Sequence, residues 1–165
     1  MDRFSGRGAD WRVHAPTLVI GVGLGGFFDG IVLHQILRWH HLVSNRVAPD
    51  TLEGLQLNTF ADGLFHQAMW LVTIAGVVLL YRRLAYPPTG PRPTLLGGVL
   101  VGFGLFNLAD SVMFHWLLGL HNIRPGPDWL IYDLGYFFWG LAMVALGGWH
   151  LHRSSAARAR MVPNA

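Results

Sequence analysis

The sequence predicts an all-α integral membrane protein, an antiparallel four-transmembrane-helix bundle built from two related helical hairpins. The first observation behind this is composition. Of 165 residues, 52% are hydrophobic and only 13% are charged, about half the charged share of an ordinary soluble domain. The second is a set of four apolar stretches, each long enough to cross a bilayer core, which needs about 20 helical residues. The third is a pattern of Asp and His residues that recurs inside those stretches.

The four predicted helices form one transmembrane domain at 16–152, between tails at 1–15 and 153–165. Their predicted bounds are 16–42, 55–81, 94–120 and 129–150. Pro16 suits the first turn of a helix. Four prolines are expected to break the chain between the second and third helices: Pro87, Pro88, Pro91 and Pro93. The short connections favour antiparallel neighbours.

Glycine is abundant, with 21 residues in the chain. Three glycine pairs have three residues between their members: Gly21 and Gly25, Gly26 and Gly30, and Gly98 and Gly102. Small residues at this interval let helix backbones approach closely. They therefore predict tight helix packing rather than a ligand pocket lined by glycine.

Arginine placement predicts the orientation. Most arginines lie on the tails and the middle connection: Arg3, Arg7, Arg12, Arg82, Arg83, Arg92, Arg153, Arg158 and Arg160. Only Arg38, Arg46 and Arg124 lie on the other side. By the positive-inside rule both termini are cytoplasmic, which in a bacterium places the protein in the inner membrane. The first apolar run is longer than a signal peptide, so we expect a retained helix.

Composition also limits the chemistry and the partners. The chain has no Cys, which excludes disulfides, thiolate metal ligands, iron–sulfur clusters and Cys nucleophiles. The net charge of +3 is spread over loops and tails, so nothing supports a nucleic-acid partner. The lipid bilayer is the expected surrounding, and the many small-residue helix faces suit a homo-oligomer or a membrane-complex partner.

Four aspartates and three histidines form a polar set inside the apolar stretches. They are Asp29, His34, Asp62, His66, Asp110, His115 and Asp133. An acidic residue at a helix centre costs about 2.5 to 3.5 kcal/mol, so four unpaired ones cost on the order of 10 kcal/mol. These groups must therefore be protonated, paired with each other or bound to cations. In an antiparallel bundle all seven converge on the outer half, which is the strongest indication of function in the sequence.

An internal repeat accompanies this convergence. The pattern Asp, four residues, His, five residues, His occurs twice: Asp29, His34, His40 and Asp110, His115, His121. The second and fourth helices match more weakly, because Asp62 and Asp133 both fall near a helix start but Phe137 stands where a counterpart of His66 is expected. We infer two hairpins with pseudo-twofold symmetry around a shared polar centre, an arrangement common in membrane proteins.

Helical geometry predicts which of these residues meet. Asp62 and His66 are four apart and share a face. Asp29 and His34 are five apart, about 140° around an ideal α-helix, so they are not expected to reach one ion unaided. Three further histidines are predicted at the mouth of the site: His40, His41 and His121.

The residue types favour a transition metal. Imidazole and carboxylate without thiolate suit Zn, Fe, Mn or Cu(II), and helix bundles build such sites from inward-facing side chains. The predicted ligands are the three histidines and four aspartates of the apolar stretches. Haem ligation by a pair of histidines is less favoured. So is a quinone or haem contact at the aromatic run 136–139, which is expected to face lipid and to pack.

Four functions remain open from the residues alone. The favoured one is an outward-facing intramembrane His/Asp metal centre in metal handling or as a redox accessory. The alternatives are a membrane-embedded metal-dependent hydrolase, a proton or cation relay, and an Asp/His hydrogen-bonded bundle with a purely structural role. Whether the protein is an enzyme is thus left open.

Several motifs also resemble a known family. They are Gly26-Phe27-Phe28-Asp29-Gly30, Leu33-His34-Gln35, Ala61-Asp62-Gly63-Leu64-Phe65-His66 and Asp110-Ser111-Val112-Met113-Phe114-His115. Together they resemble an uncharacterised bacterial family of small multi-pass membrane proteins, a domain of unknown function, over most of residues 15–152. The resemblance implies a membrane location and brings no activity, cofactor or catalytic residue with it.

Overall fold

The computed structural model describes residues 11–85 and 94–161. Its four α-helices are α1 (Trp11–Phe28), α2 (Leu52–Ala85), α3 (Leu95–Asp110) and α4 (Trp129–Met161). Two of them continue directly into π-helices, α1 into Asp29–Ile36 and α3 into Ser111–Leu117. The described ranges contain no strand. The predicted proline break at 87–93 and the outer parts of both tails lie outside these ranges.

Four helical segments are long and apolar enough to cross a membrane: Val13–Ile36, Leu52–Ala85, Leu95–Leu117 and Trp129–Ala156. Their outer faces carry large apolar side chains that the protein itself does not cover, such as Phe60, Trp70 and Ile131. Exposed apolar surface on this scale suits contact with lipid rather than with water. The prediction of an all-α, four-helix membrane protein is confirmed.

The helices α1 and α3 lie at the centre of the bundle. Helix α1 packs against α2 and α3, and α3 also packs against α4. The two central helices nearly touch at Gly21 and Gly102, where a Cβ added to either residue would lie 2.9 Å from the Cα of the other. This is the close approach that the glycine spacing predicted, and it brings the two copies of the Asp/His pattern together.

The first and third membrane spans end in matching turns. Arg38 has a φ of 50° and Gly119 a φ of 56°, a left-handed conformation that is uncommon for a residue other than glycine. Each turn is followed by a main-chain hydrogen bond back to the π-helix, from Trp39 N–H to the Leu33 carbonyl (3.0 Å) and from Leu120 N–H to the Phe114 carbonyl (2.8 Å). The first span therefore ends at Ile36, before the predicted residue 42, and the next residues return toward the bundle.

Candidate metal centre

The two π-helices allow each Asp/His pair to meet. In a π-helix the main-chain bonds run from i to i+5, so residues five apart lie on one face. His34 Nε2 is 3.1 Å from Asp29 Oδ2, and His115 Nε2 is 3.0 Å from Asp110 Oδ2. The expectation that Asp29 and His34 diverge was wrong, because it assumed α-helical geometry throughout. Short π-helical segments occur frequently at functional sites.

His40 and His121 lie inside the centre and not at its mouth. Their exposed fractions are 2% and 0%, because the left-handed turns carry them back between the helices. Their rings stack on each other, with centroids 4.6 Å apart and planes 8° apart. Of the three histidines predicted at the mouth, only His41 keeps some exposure, 14% of its side chain.

The hydrogen bonds of His40 and His121 determine which ring nitrogen carries the proton. His40 Nδ1–H donates to the Ile123 carbonyl (2.8 Å), and His121 Nδ1–H donates to the Leu42 carbonyl (3.0 Å). A carbonyl only accepts, so in each neutral ring Nε2 holds a free lone pair. Burial and the neighbouring His121 and His34 rings keep the pKa of His40 well below its usual range, which leaves this lone pair available to a metal at neutral pH.

Asp62 and Asp133 contact the Nδ1 atoms of the other two histidines, His34 and His115. Asp62 Oδ1 accepts a hydrogen bond from His34 Nδ1 at 2.9 Å, and Asp133 Oδ1 lies 3.3 Å from His115 Nδ1. A carboxylate behind a histidine fixes the ring and raises its basicity as a ligand. The sequence predicted both aspartates as ligands, whereas the structure places them against the histidine nitrogens that face away from Asp29 and Asp110.

The same two carboxylates also tie the outer helices to the loops. Asp62 accepts hydrogen bonds from His41 Nδ1 (2.6 Å) and from Leu42 N–H (2.9 Å). Asp133 accepts them from Asn122 Nδ2 (2.8 Å) and from Ile123 N–H (2.8 Å). Helices α2 and α4 are thereby fixed to the segments that carry His40 and His121.

Six donor atoms of this cluster make no well-formed hydrogen bond within the described residues, although His34 Nε2 and His115 Nε2 each lie within ion-pair distance of an aspartate. All are buried: Nε2 of His34, His40, His115 and His121, Oδ1 of Asp29 and Oδ2 of Asp110. They fall into two overlapping groups whose donor atoms lie within 4.8 Å of one another, one of His34, His40 and His121, the other of Asp110, His115 and His121. Each group could hold a metal ion, and His121 belongs to both.

The spacing of these atoms suits ligands of a common ion. Nε2 of His34 faces Asp29 Oδ2 at 3.1 Å. In a neutral ring that donates to Asp62 through Nδ1, this Nε2 carries a lone pair. Two lone-pair atoms at this distance repel unless a cation or a proton lies between them. If two ligand atoms each lie about 2.1 Å from one ion and the ligand–ion–ligand angle is a right angle, the two atoms are about 3.0 Å apart. This agrees with the observed distance.

The predicted pseudo-twofold symmetry extends to individual contacts. An offset of 81 residues relates the two Asp/His patterns and the turns at Arg38 and Gly119. The same offset relates the carbonyls of Leu42 and Ile123, which accept hydrogen bonds from His121 and His40. An offset of 71 relates Asp62 to Asp133. The halves differ at three paired positions beside the centre: His41 and Asn122, His66 and Phe137, and Phe65 and Tyr136. The centre is therefore symmetric in its inner donors and asymmetric around them.

His66, which the sequence placed among the ligands, lies apart from both groups. Its buried Nε2 has no hydrogen-bond partner in the described part of the chain, and it lies so close to Gly30 that a Cβ added there would collide with it. Its ring is 6.0 Å from that of Phe65 and 6.4 Å from that of Phe27. His66 thus packs against α1 beside the centre. The sequence contained an indication of this difference, since the repeat has Phe137 at the matching position.

The comparisons with known proteins agree with the architecture. No curated protein and no solved structure matches the chain. A family model described as a predicted membrane protein, DUF2243, matches residues 16–155, which covers nearly the whole of the four membrane spans and every member of the Asp/His cluster. This confirms the resemblance seen in the sequence motifs. The chain therefore belongs to the DUF2243 family of predicted membrane proteins.

Proposed function

We propose that this protein holds one or two transition-metal ions in an intramembrane His/Asp centre and serves as a redox accessory or in metal handling. The observation that carries the proposal is the set of buried donor atoms without partners, contributed by four histidines and two aspartates. Buried polar atoms are normally satisfied. Six that make no well-formed hydrogen bond and lie in one cluster support metal ligation.

Charge supports the same conclusion. Asp29, Asp62, Asp110 and Asp133 are each at most 2% exposed, and together they carry four negative charges when ionised. At about 2.5 to 3.5 kcal/mol for each acidic group at membrane depth, they need positive charge nearby. Two divalent ions supply four positive charges, and one ion with protonated histidines also reduces the imbalance.

The donor set limits which ion and which cofactor fit. Imidazole nitrogen with carboxylate oxygen, and no thiolate, suits Zn, Fe, Mn or Cu(II). Haem held between His40 and His121 is not supported, because their rings stack face to face at 4.6 Å and a macrocycle between two axial ligands needs the rings on opposite sides of its plane.

The burial of the donors favours a resident ion. His34 and His121 are completely buried, so a water-soluble substrate has little access to an ion between them. A hydrolase needs an open coordination position that substrate can reach, and a relay needs polar groups across the whole membrane, whereas the inner half of each helix is almost wholly apolar. Electron exchange or metal storage does not require direct contact between the ion and a soluble substrate.

Metal content tests the proposal directly. The protein is purified in mild detergent without chelators, and its bound metals are measured by elemental mass spectrometry. We expect one or two equivalents of a single transition metal per chain, lost after treatment with a strong chelator and regained on adding that metal back. A folded protein that carries no metal and takes none up when each candidate ion is supplied would refute the proposal.

The location in a bacterial inner membrane with both termini in the cytoplasm is likewise a proposal, supported by the arginine distribution. The chain lacks cysteine, so a single introduced cysteine is the only target for a maleimide. We expect an impermeant maleimide to label Asp50→Cys in cells with a permeabilised outer membrane, and to label Asn164→Cys only after the inner membrane is broken. Labelling in the reverse order would show that the opposite orientation is correct.

A further inference from the structure

Tyr136 is a buried phenol beside the candidate metal centre. Its side chain is 5% exposed, and its buried hydroxyl has no hydrogen-bond partner among the residues that the structure describes. The sequence placed it in an aromatic run expected to face lipid. Its neighbour Phe138 does so at 60% exposure, but Tyr136 lies on the opposite face of α4 and points into the bundle. A buried hydroxyl without a partner destabilises the folded protein, so its presence calls for an explanation.

The position of Tyr136 relates it to the metal ligands. Its ring stacks on that of His115, with centroids 6.0 Å apart and planes 18° apart. Tyr136 therefore lies directly against a histidine whose Nε2 is one of the buried donor atoms of the cluster.

The other half of the bundle has the same arrangement without the oxygen. Phe65 is the counterpart of Tyr136, and its ring stacks on that of His34 at 5.9 Å and 23°. Packing alone is thus satisfied by a phenyl ring at this position. At this pair of positions the two rings differ by the hydroxyl of Tyr136, so only the half with His115 has a phenol oxygen there.

We propose that Tyr136 supplies a phenolate oxygen to the metal centre, on the side of Asp110 and His115. The inference rests on the proposed function, because it requires a bound ion. If the ion bound there, the phenol O–H bond would break as the oxygen bonded to the metal, and the proton would be released to solvent. A phenolate is a hard, anionic donor, so its presence favours iron(III) over the softer ions among the candidates.

Iron loading followed by visible spectroscopy tests this role. The full-length protein in detergent is loaded with iron(II), oxidised in air and freed of excess metal, and iron content is measured beside the spectrum. A tyrosinate bound to iron(III) gives a charge-transfer band in the visible region and enhanced phenolate ring vibrations in the resonance Raman spectrum. We expect both in wild type and neither in Tyr136→Phe.

Tyr132→Phe is the matched control. Tyr132 also lies on α4, but its hydroxyl accepts a hydrogen bond from Arg124 (2.6 Å) at the exposed rim. We expect this variant to keep the band at wild-type intensity per iron. Loss of the band in Tyr132→Phe, or its persistence in Tyr136→Phe, would overturn the assignment.

The stability of the metal-free protein separates a ligand from a packing residue. The hydroxyl has no partner without metal, so metal-free Tyr136→Phe should unfold at the wild-type temperature or higher, while the stabilisation gained on iron binding should decrease. Wild type that contains stoichiometric iron and shows no band refutes the role of Tyr136 and leaves the metal centre standing. Wild type that binds no iron or other transition metal refutes both.

Discussion

Replacing His121 by alanine is expected to abolish stoichiometric metal binding. His121 is the one residue that belongs to both groups of candidate ligands, so its loss removes a donor from each. Its Nδ1–H also donates to the Leu42 carbonyl, and its ring stacks on that of His40 at 4.6 Å. The variant therefore also removes two contacts with the segment that carries His40. Elemental mass spectrometry of His121→Ala, purified beside wild type in the same detergent, measures the effect.

His66→Ala is the informative control for this measurement. The sequence counted His66 as a ligand, whereas the structure places its ring beside Phe27 and Phe65, outside both groups. We expect His66→Ala to retain its metal. If His66→Ala loses metal as completely as His121→Ala does, while both variants remain helical and monodisperse, the ligand set inferred from the structure is wrong.

The features of the fold that depend on composition and repetition could be predicted from the sequence. The four membrane spans follow from apolar length, and close helix packing follows from the glycine spacing, although the spacing did not say that Gly21 of α1 would meet Gly102 of α3. The twofold arrangement follows from the repeated Asp/His pattern. None of these depends on the detailed path of the main chain.

The site itself depends on that path, and there the prediction was incomplete. In an α-helix with 3.6 residues per turn, Asp29 and His34 lie on different faces. No residue in the segment Asp29–Ile36 indicates that it forms a π-helix instead. Gly119 is compatible with a left-handed turn, but Arg38 is not a residue that predicts one. Without these turns His40 and His121 continue outward along their helices, which is why the sequence placed them at the mouth.

The second large effect is expected at the contact between the central helices. In Gly102→Ala the new Cβ would lie 2.9 Å from both the Gly21 Cα and the Leu18 carbonyl carbon. These are main-chain atoms that cannot rotate away, so α1 and α3 must separate. Overpacking of a well-packed interior costs about 1 to 3 kcal/mol, and we expect at least that loss in the free energy of unfolding, measured by titration with sodium dodecyl sulfate and followed by circular dichroism.

Gly63→Ala provides the matched control, because a Cβ at this position meets no atom within 4 Å. The same change of residue there should leave stability unchanged or raise it slightly, since alanine is favoured over glycine within a helix by about 0.5 to 1 kcal/mol. The separation of α1 from α3 in Gly102→Ala should also move Asp29 away from Asp110 and so weaken metal binding at a distance from the ligands. If Gly102→Ala and Gly63→Ala unfold at the same detergent fraction, the backbone contact is not what holds the two halves of the centre together.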